Sequence, residues 1–215
     1  MILVIGNEKG GCSKSTLAVN LALLGIFEGV DTLLVDADQQ SSCNQFSMKR
    51  DEIGVEPRIQ VIMKQGRNLH RELGDLKARY QRIIIDTGGR DSPELRSSLL
   101  IADRILIPCR PSQMDLWATD KVFSVVETAL DLNETLEPLV CITQAHTNQL
   151  VSATREAVDF LSEFPHIKLC STVIYERLAW QKSILEGRSV VELKDSKASN
   201  ELRLLYGEIF NDRVQ

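Results

Sequence analysis

Seven short apolar runs, at residues 1–6, 32–36, 58–63, 81–86, 104–109, 138–143 and 168–174, recur along the chain between longer amphipathic stretches. Runs of this kind, with almost no polar interruption, suit strands buried on both faces. The intervening stretches at Lys14 to Glu28, Pro93 to Ala102, Leu116 to Leu132, Gln149 to Glu163, Arg177 to Glu186 and Ser196 to Phe210 suit helices. Such alternation predicts an α/β fold, doubly wound, with a mainly parallel sheet and helices on both faces. At 215 residues and 43% hydrophobic content the chain can bury one large core. No linker, repeat or low-complexity segment breaks it, so a single domain over residues 1–215 is expected.

The first run leads into Lys9-Gly10-Gly11-Cys12-Ser13-Lys14-Ser15-Thr16, which opens the first helical stretch. A glycine-rich turn between strand and helix lets backbone N–H groups converge on phosphate oxygens. Lys14 adds a point charge, Ser15 a hydroxyl ligand for Mg²⁺, and the helix its positive dipole end. The standard G-x-x-x-x-G-K-[ST] pattern is not met, because Glu8 and Ser13 occupy its glycine positions; the variant K-G-G-x-x-K-[ST] is met. In doubly wound sheets, ligands gather beyond the carboxyl ends of the strands. Asp36 and Asp38 follow the second run and Asp86 the fourth, so three distant segments are expected to meet at one magnesium–nucleotide site.

On these residues the chain resembles the ParA/MinD group of deviant Walker A ATPases, whose loop begins with a second lysine, here Lys9. Leu34-Val35-Asp36-Ala37-Asp38-Gln39-Gln40 is similar to the family's second-strand motif, with Gln39 in place of its usual proline. Ile83 to Gly89 resembles the Walker B strand and switch, and Arg104 to Pro108, with Pro111, Ser112 and Asp115, the next strand and turn. The likeness spans nearly the whole chain. It is nearest to short plasmid-partition (ParF-like) ATPases that lack an added N-terminal DNA-binding domain.

The resemblance implies a P-loop NTPase that hydrolyses ATP to ADP and phosphate with Mg²⁺. In it Lys14 would contact the β- and γ-phosphates, and the loop residues Gly10, Gly11, Cys12, Ser13, Ser15 and Thr16 would surround the α- and β-phosphates. Ser15, Asp36 and Asp86 would serve the metal, Asp38 would orient the attacking water, and Lys9 would reach the partner's phosphates across a nucleotide-sandwiched homodimer. Gln144 and Tyr175 fall in the base-binding region, where a polar strand cap and a half-buried core aromatic are equally good readings. Two departures stand out. Ser13 replaces a family glycine, so its Cβ is expected to be strained. Thr87 to Asp91 lacks the family's proline, although its glycines suit a switch that senses the γ-phosphate.

The family further implies plasmid or chromosome partition, with non-specific DNA binding by the ATP dimer and a centromere-binding or adaptor protein that stimulates hydrolysis. A net charge of −5 gives no general attraction to DNA, so a local patch is required. Lys182, Arg188, Lys194, Lys197 and Arg203 are its candidates, although Glu186, Glu192 and Asp195 among them fit a solvated surface equally well. A MinD-like membrane role or another cargo-positioning role is the alternative. The segment Leu202 to Phe210 has one arginine and Glu208, and reads as a helix packed on the sheet, so no stable membrane association is expected.

Residues 1–6 lack a basic leader and read as a strand, not a signal peptide. Five dispersed cysteines without a C-x-x-C pair imply reduced thiols and a cytoplasmic protein, nucleoid-associated when ATP-bound. Cys12 is expected to fill the loop as an ordinary small residue; a redox role, with its pKa lowered by Lys14 and the helix dipole, is the lesser alternative. A metabolic P-loop kinase or synthetase would need a second-substrate pocket. An iron–sulfur reductase would need dimer-bridging cysteines, for which Cys109 and Cys141 lack the context.

Overall fold

The computed structural model of the chain describes residues 1–89, 92–148 and 152–211. The apolar runs become β1 (Ile2–Ile5), β2 (Thr32–Asp36), β3 (Gln60–Met63), β4 (Arg82–Asp86), β5 (Arg104–Cys109), β6 (Glu137–Ile142) and β7 (Lys168–Leu169). They form one sheet, paired in parallel throughout, in the order β3-β2-β4-β1-β5-β6-β7. The seventh run yields only two strand residues. Its backbone turns aside where the amides of Ser171 and Thr172 donate to the Glu208 carboxylate, both at 2.7 Å.

Eight helices are described: α1 (Lys14–Phe27), α2 (Ser42–Glu52), α3 (Leu69–Lys77), α4 (Pro93–Leu99), α5 (Gln113–Leu130), α6 (Ala153–Leu161), α7 (Leu178–Leu185) and α8 (Ser196–Phe210). Six match the amphipathic stretches, and α2 and α3 are additions. The expected start of the fourth stretch at Gln149 lies outside the described residues. Helix α5 begins at Gln113, three residues before the expected Leu116, because the Ser112 side chain caps it by accepting from the Asp115 amide.

Alternate strand residues feed two cores, as a sheet covered on both faces requires. Ile2, Val4, Val35, Ile85 and Ile107 face one layer, where α3, α4, α5 and α6 contribute Leu73, Leu99, Phe123 and Leu161. Leu3, Ile5, Leu34, Ile84 and Leu106 face the other, where α1, α2 and α8 contribute Leu21, Phe46 and Leu202. The chain winds outward from β1 on one side through β2 and β3. It returns as β4 and then leaves through β5 on the other side. The carboxyl end of β1 therefore opens at the topological switch point, where ligands bind in such sheets.

Candidate functional site

The loop leaving β1 is tied to its surroundings residue by residue. Asn7 is fully buried; its Nδ2 donates to the Pro108 carbonyl (2.8 Å) and its Oδ1 accepts the Lys9 amide (3.2 Å). Lys14 Nζ and Cys12 Sγ both donate to the Lys9 carbonyl, at 3.0 and 3.1 Å. Gly11 and Ser13 have φ of 76° and 77°, so the expectation of strain at Ser13 is met by a left-handed, non-glycine residue. That conformation costs about 1 kcal/mol for a residue with a Cβ. Helix α1 begins one residue later, with its amino end turned to the loop.

The acidic side of the site comes from β2 and β4, which set Asp36 beside Asp86 in register. Asp86 is fully buried; its Oδ2 accepts the Cys43 thiol at 3.2 Å, and its Oδ1 has no partner. Burial lifts this carboxyl to about 7, against the opposing pull of the Ser15 hydroxyl and the Cys43 thiol. A buried carboxylate oxygen without a donor is costly unless something satisfies it. A hard divalent cation resting on Ser15 and the phosphates would do so, and the residues present therefore fit Mg²⁺. Among the described residues no group of three His, Cys, Asp or Glu forms a metal cluster. A cation here would take its other ligands from phosphate and water. The two Asp36 oxygens accept the Asp38 (3.3 Å) and Asn44 (2.9 Å) amides, which gives that residue a turn-holding part in addition.

Gly88 and Gly89 close the site from the β4 side. A Cβ on Gly89 would lie 3.1 Å from both Cα and N of Gly10 and 3.3 Å from Lys14 Nζ, so a side chain here would press the loop backbone aside. A Cβ on Gly88 would stand 3.4 Å from Asp38 Oδ1. Arg90 and Asp91, the far end of the expected switch, lie outside the described residues.

These segments surround a hollow of about 860 Å³ lined by Gly10, Gly11, Ser13, Lys14, Ser15, Thr16, Asp38, Gly88, Gly89 and Gln144, among others. Gln144 lines it, with its amide turned onto the loop: Nε2 donates to the Gly11 carbonyl (2.8 Å) and to Ser13 Oγ (2.7 Å). Tyr175 borders a separate hollow with Arg177. Burial raises the Cys12 thiol pKa and outweighs the lowering by Lys14, which leaves the thiol in the loop-filling part preferred for it. Cys109 and Cys141 are buried as well, with the Cys109 thiol pushed up to about 11.

Four site residues are not anticipated from sequence: Asn7, Cys43, Arg110 and Thr143. The Arg110 guanidinium donates to the Gly11 carbonyl, and Thr143 Oγ1 to the Cys12 carbonyl (3.2 Å). Asn7, Arg110 and Thr143 all lie just past the carboxyl end of a strand, at β1, β5 and β6. The rule that singled out Asp86 could have found them. Cys43 carries no comparable signal, since it sits in a helix that the apolar pattern does not show.

Comparison with known proteins gives the chain a family and its fold a set of relatives. Residues 1–133 match the model of the family described as ATPase MipZ. The chain is 24% identical over 210 residues to the maintenance of carboxysome distribution protein A of Halothiobacillus neapolitanus, covering 96% of this chain and 95% of that protein. Among solved structures, the ATP complex of McdA from Cyanothece superposes with a TM-score of 0.81 at 17% identity, covering 98% of this chain and 96% of that one. A plasmid partition protein of Borrelia burgdorferi B31 bound to AMPPNP gives 0.73 at 21%, covering 99% of each chain. The cell-division protein MinD of Pyrococcus horikoshii, solved with Mg-ADP, gives 0.75 at 21%, covering 97% of this chain and 95% of that one. With its loop, its paired strand-end aspartates and its sheet order in place, the chain belongs to the MipZ ATPase family, a ParA/MinD-type group of P-loop ATPases.

Proposed function

We propose that the chain is a Mg²⁺-dependent ATPase that dimerises on ATP and positions a cargo. The observation that carries this reading is the convergence of residues 9–16, Asp38, Asp86 and Gly88-Gly89 at the end of β1. Lys14 would neutralise the β- and γ-phosphates, and the amides from Gly10 to Thr16 would hold the α- and β-phosphates. Ser15 and Asp86 would hold the metal, with Asp36 behind them. Bound there, Mg²⁺ supplies charge neutralisation on the phosphate oxygens. Asp38 would orient a water so that it attacks the γ-phosphorus as the bond to the bridging oxygen breaks, giving ADP and phosphate. Lys9 would bring a second cation from the neighbouring subunit to the same charge.

The finer reading is partition of plasmid or chromosomal DNA. Here the ATP dimer binds DNA non-specifically, and a centromere-binding or adaptor protein stimulates hydrolysis. The plasmid partition protein among the similar structures supports it. A protein body as cargo is the second reading, favoured by the carboxysome-distribution relative that aligns over 96% of this chain. Both place the protein in the cytoplasm, on the nucleoid when ATP is bound. Lys182 pairs with Glu186 and Arg203 with Glu28, which leaves Arg188, Lys194 and Lys197 to carry a DNA patch. No helix among the described residues is long and apolar enough to cross a membrane. Helix α8 buries Leu202, Leu205, Tyr206 and Ile209 in the core, so that face is not offered to a bilayer.

Light scattering with a non-hydrolysable ATP analogue, alongside phosphate release with and without plasmid DNA, tests the reading. Doubling of the mass with the analogue, DNA-stimulated release, and DNA binding that weakens steeply with salt are the expected results. A monomer with every nucleotide would refute it. Co-sedimentation with anionic liposomes instead of DNA would move the protein to the MinD-like alternative.

A further inference from the structure

Two non-glycine residues with left-handed backbones face each other across the loop. Ser13 has φ 77° and ψ 16°, and Gln144, on the connection after β6, has φ 52°. Neither conformation is favourable for a residue with a Cβ, and such residues persist only where their surroundings hold them. Here they hold one another, because Gln144 Nε2 donates to Ser13 Oγ at 2.7 Å and to the Gly11 carbonyl at 2.8 Å.

The amide orientation follows from chemistry. A carbonyl oxygen can only accept, so the group facing Gly11 must be the NH₂ of Gln144. Ser13 is the residue before α1, yet its hydroxyl caps none of the helix amides. That hydroxyl is instead committed to Gln144. The neighbours of Gln144 keep it in place: the Thr143 amide donates to the Cys109 carbonyl (2.7 Å), the Ala145 amide to the Ile174 carbonyl (3.1 Å), and Thr143 Oγ1 to the Cys12 carbonyl (3.2 Å). Residues 143 and 144 therefore grip loop residues 11, 12 and 13 one after another, and Arg110 grips Gly11 from just past the end of β5.

We infer that Gln144 is a positioning residue for phosphate binding that supports the left-handed backbone of Ser13, and that the two act as one unit. With serine at position 13, loss of the Gln144 amide frees a strained peptide to relax, and the loop N–H groups lose their common aim. With glycine at position 13, the same backbone is unstrained and the amide becomes dispensable. The inference rests on the ATPase reading above, since it concerns how that loop meets phosphate.

The test is a double-mutant cycle of Ser13→Gly, Gln144→Ala and the pair together, read as ADP affinity with a fluorescent nucleotide and as urea stability without nucleotide. Gln144→Ala is expected to weaken ADP binding about tenfold with Ser13 present and less than about twofold in the Ser13→Gly background, the size of a hydrogen bond plus relieved backbone strain. Rescue of Gln144→Ala by Ser13→Gly, in affinity and in urea midpoint, supports the unit. A Gln144→Ala defect of equal size in both backgrounds overturns it and assigns Gln144 a separate contact, while leaving the ATPase reading intact. A wild-type chain that is folded by circular dichroism and binds neither ADP nor ATP overturns both.

Discussion

Asp86 is where burial and chemistry oppose each other most directly. Its carboxyl is lifted from the ordinary 3.8 to about 7, so between those values the folded chain keeps a proton that the unfolded chain releases. The sign follows: the unfolded state binds fewer protons there, and stability falls as the pH rises from about 4 towards 7 and then levels off. Asp86→Asn removes this dependence. In the absence of nucleotide it should be more stable than wild type by on the order of 2 kcal/mol at pH 8, with the difference vanishing near pH 4. Urea unfolding at both pH values measures this. Cation binding requires the ionised form, so Mg²⁺-dependent nucleotide affinity of the wild type should decline below pH 7, and the Asn variant should lose most of it. Gly89 gives a second test, of sterics instead of charge. Gly89→Ala would press a methyl group onto Gly10 and Lys14, and should weaken ADP binding by at least tenfold by calorimetry while the far-UV spectrum is unchanged.

Most of the sheet can be read from the chain because its strands are buried on both sides and therefore nearly unbroken in apolar residues. Helices α2 and α3 cannot be read that way, for a physical reason. The buried residues of α2 are Cys43, Phe46 and Arg50, a helical spacing in which one member is a guanidinium. Helix α3 buries only Leu69 and Leu73 across nine residues that include Gly74. The buried Arg50 is satisfied by partners outside its own helix, two of them remote in sequence. Its guanidinium pairs with both oxygens of Glu192, at 2.8 and 3.0 Å, and donates to the carbonyls of Pro57 and Gly187. This fork joins the helix after Asp38 to the segment before α8. Arg50→Ala should therefore destabilise the protein by about 3 kcal/mol, because it leaves Glu192 without its counter-charge. Arg50→Lys should recover little, as one ammonium cannot fill the planar fork. Replacing both, by Arg50→Met with Glu192→Leu, should recover much of the loss in a urea titration.

A complete site requires a second subunit if Lys9 has the part proposed for it. Within one chain the Lys9 backbone is already committed: its amide donates to Asn7, and its carbonyl accepts from Lys14 and Cys12. No described hydrogen bond or ion pair engages its ammonium, and Lys9 is not among the residues lining the hollow that Lys14 enters. The two lysines should then separate cleanly by mutation. Lys14→Ala removes the cation proposed to meet the phosphates within the chain and should abolish nucleotide binding. Lys9→Ala should leave monomer affinity for ADP within about threefold, yet prevent the ATP-dependent doubling of mass. It should also slow hydrolysis by about a thousandfold, the scale of an arginine finger supplied in trans. Because dimer assembly and turnover depend on the same group, both losses should appear together, and DNA binding should fall with them if only the dimer presents its basic residues in pairs. Light scattering on Lys9→Ala with a non-hydrolysable analogue decides the matter. A dimer that still forms there would return Lys9 to an ordinary surface residue and require another origin for the coupling of ATP to assembly.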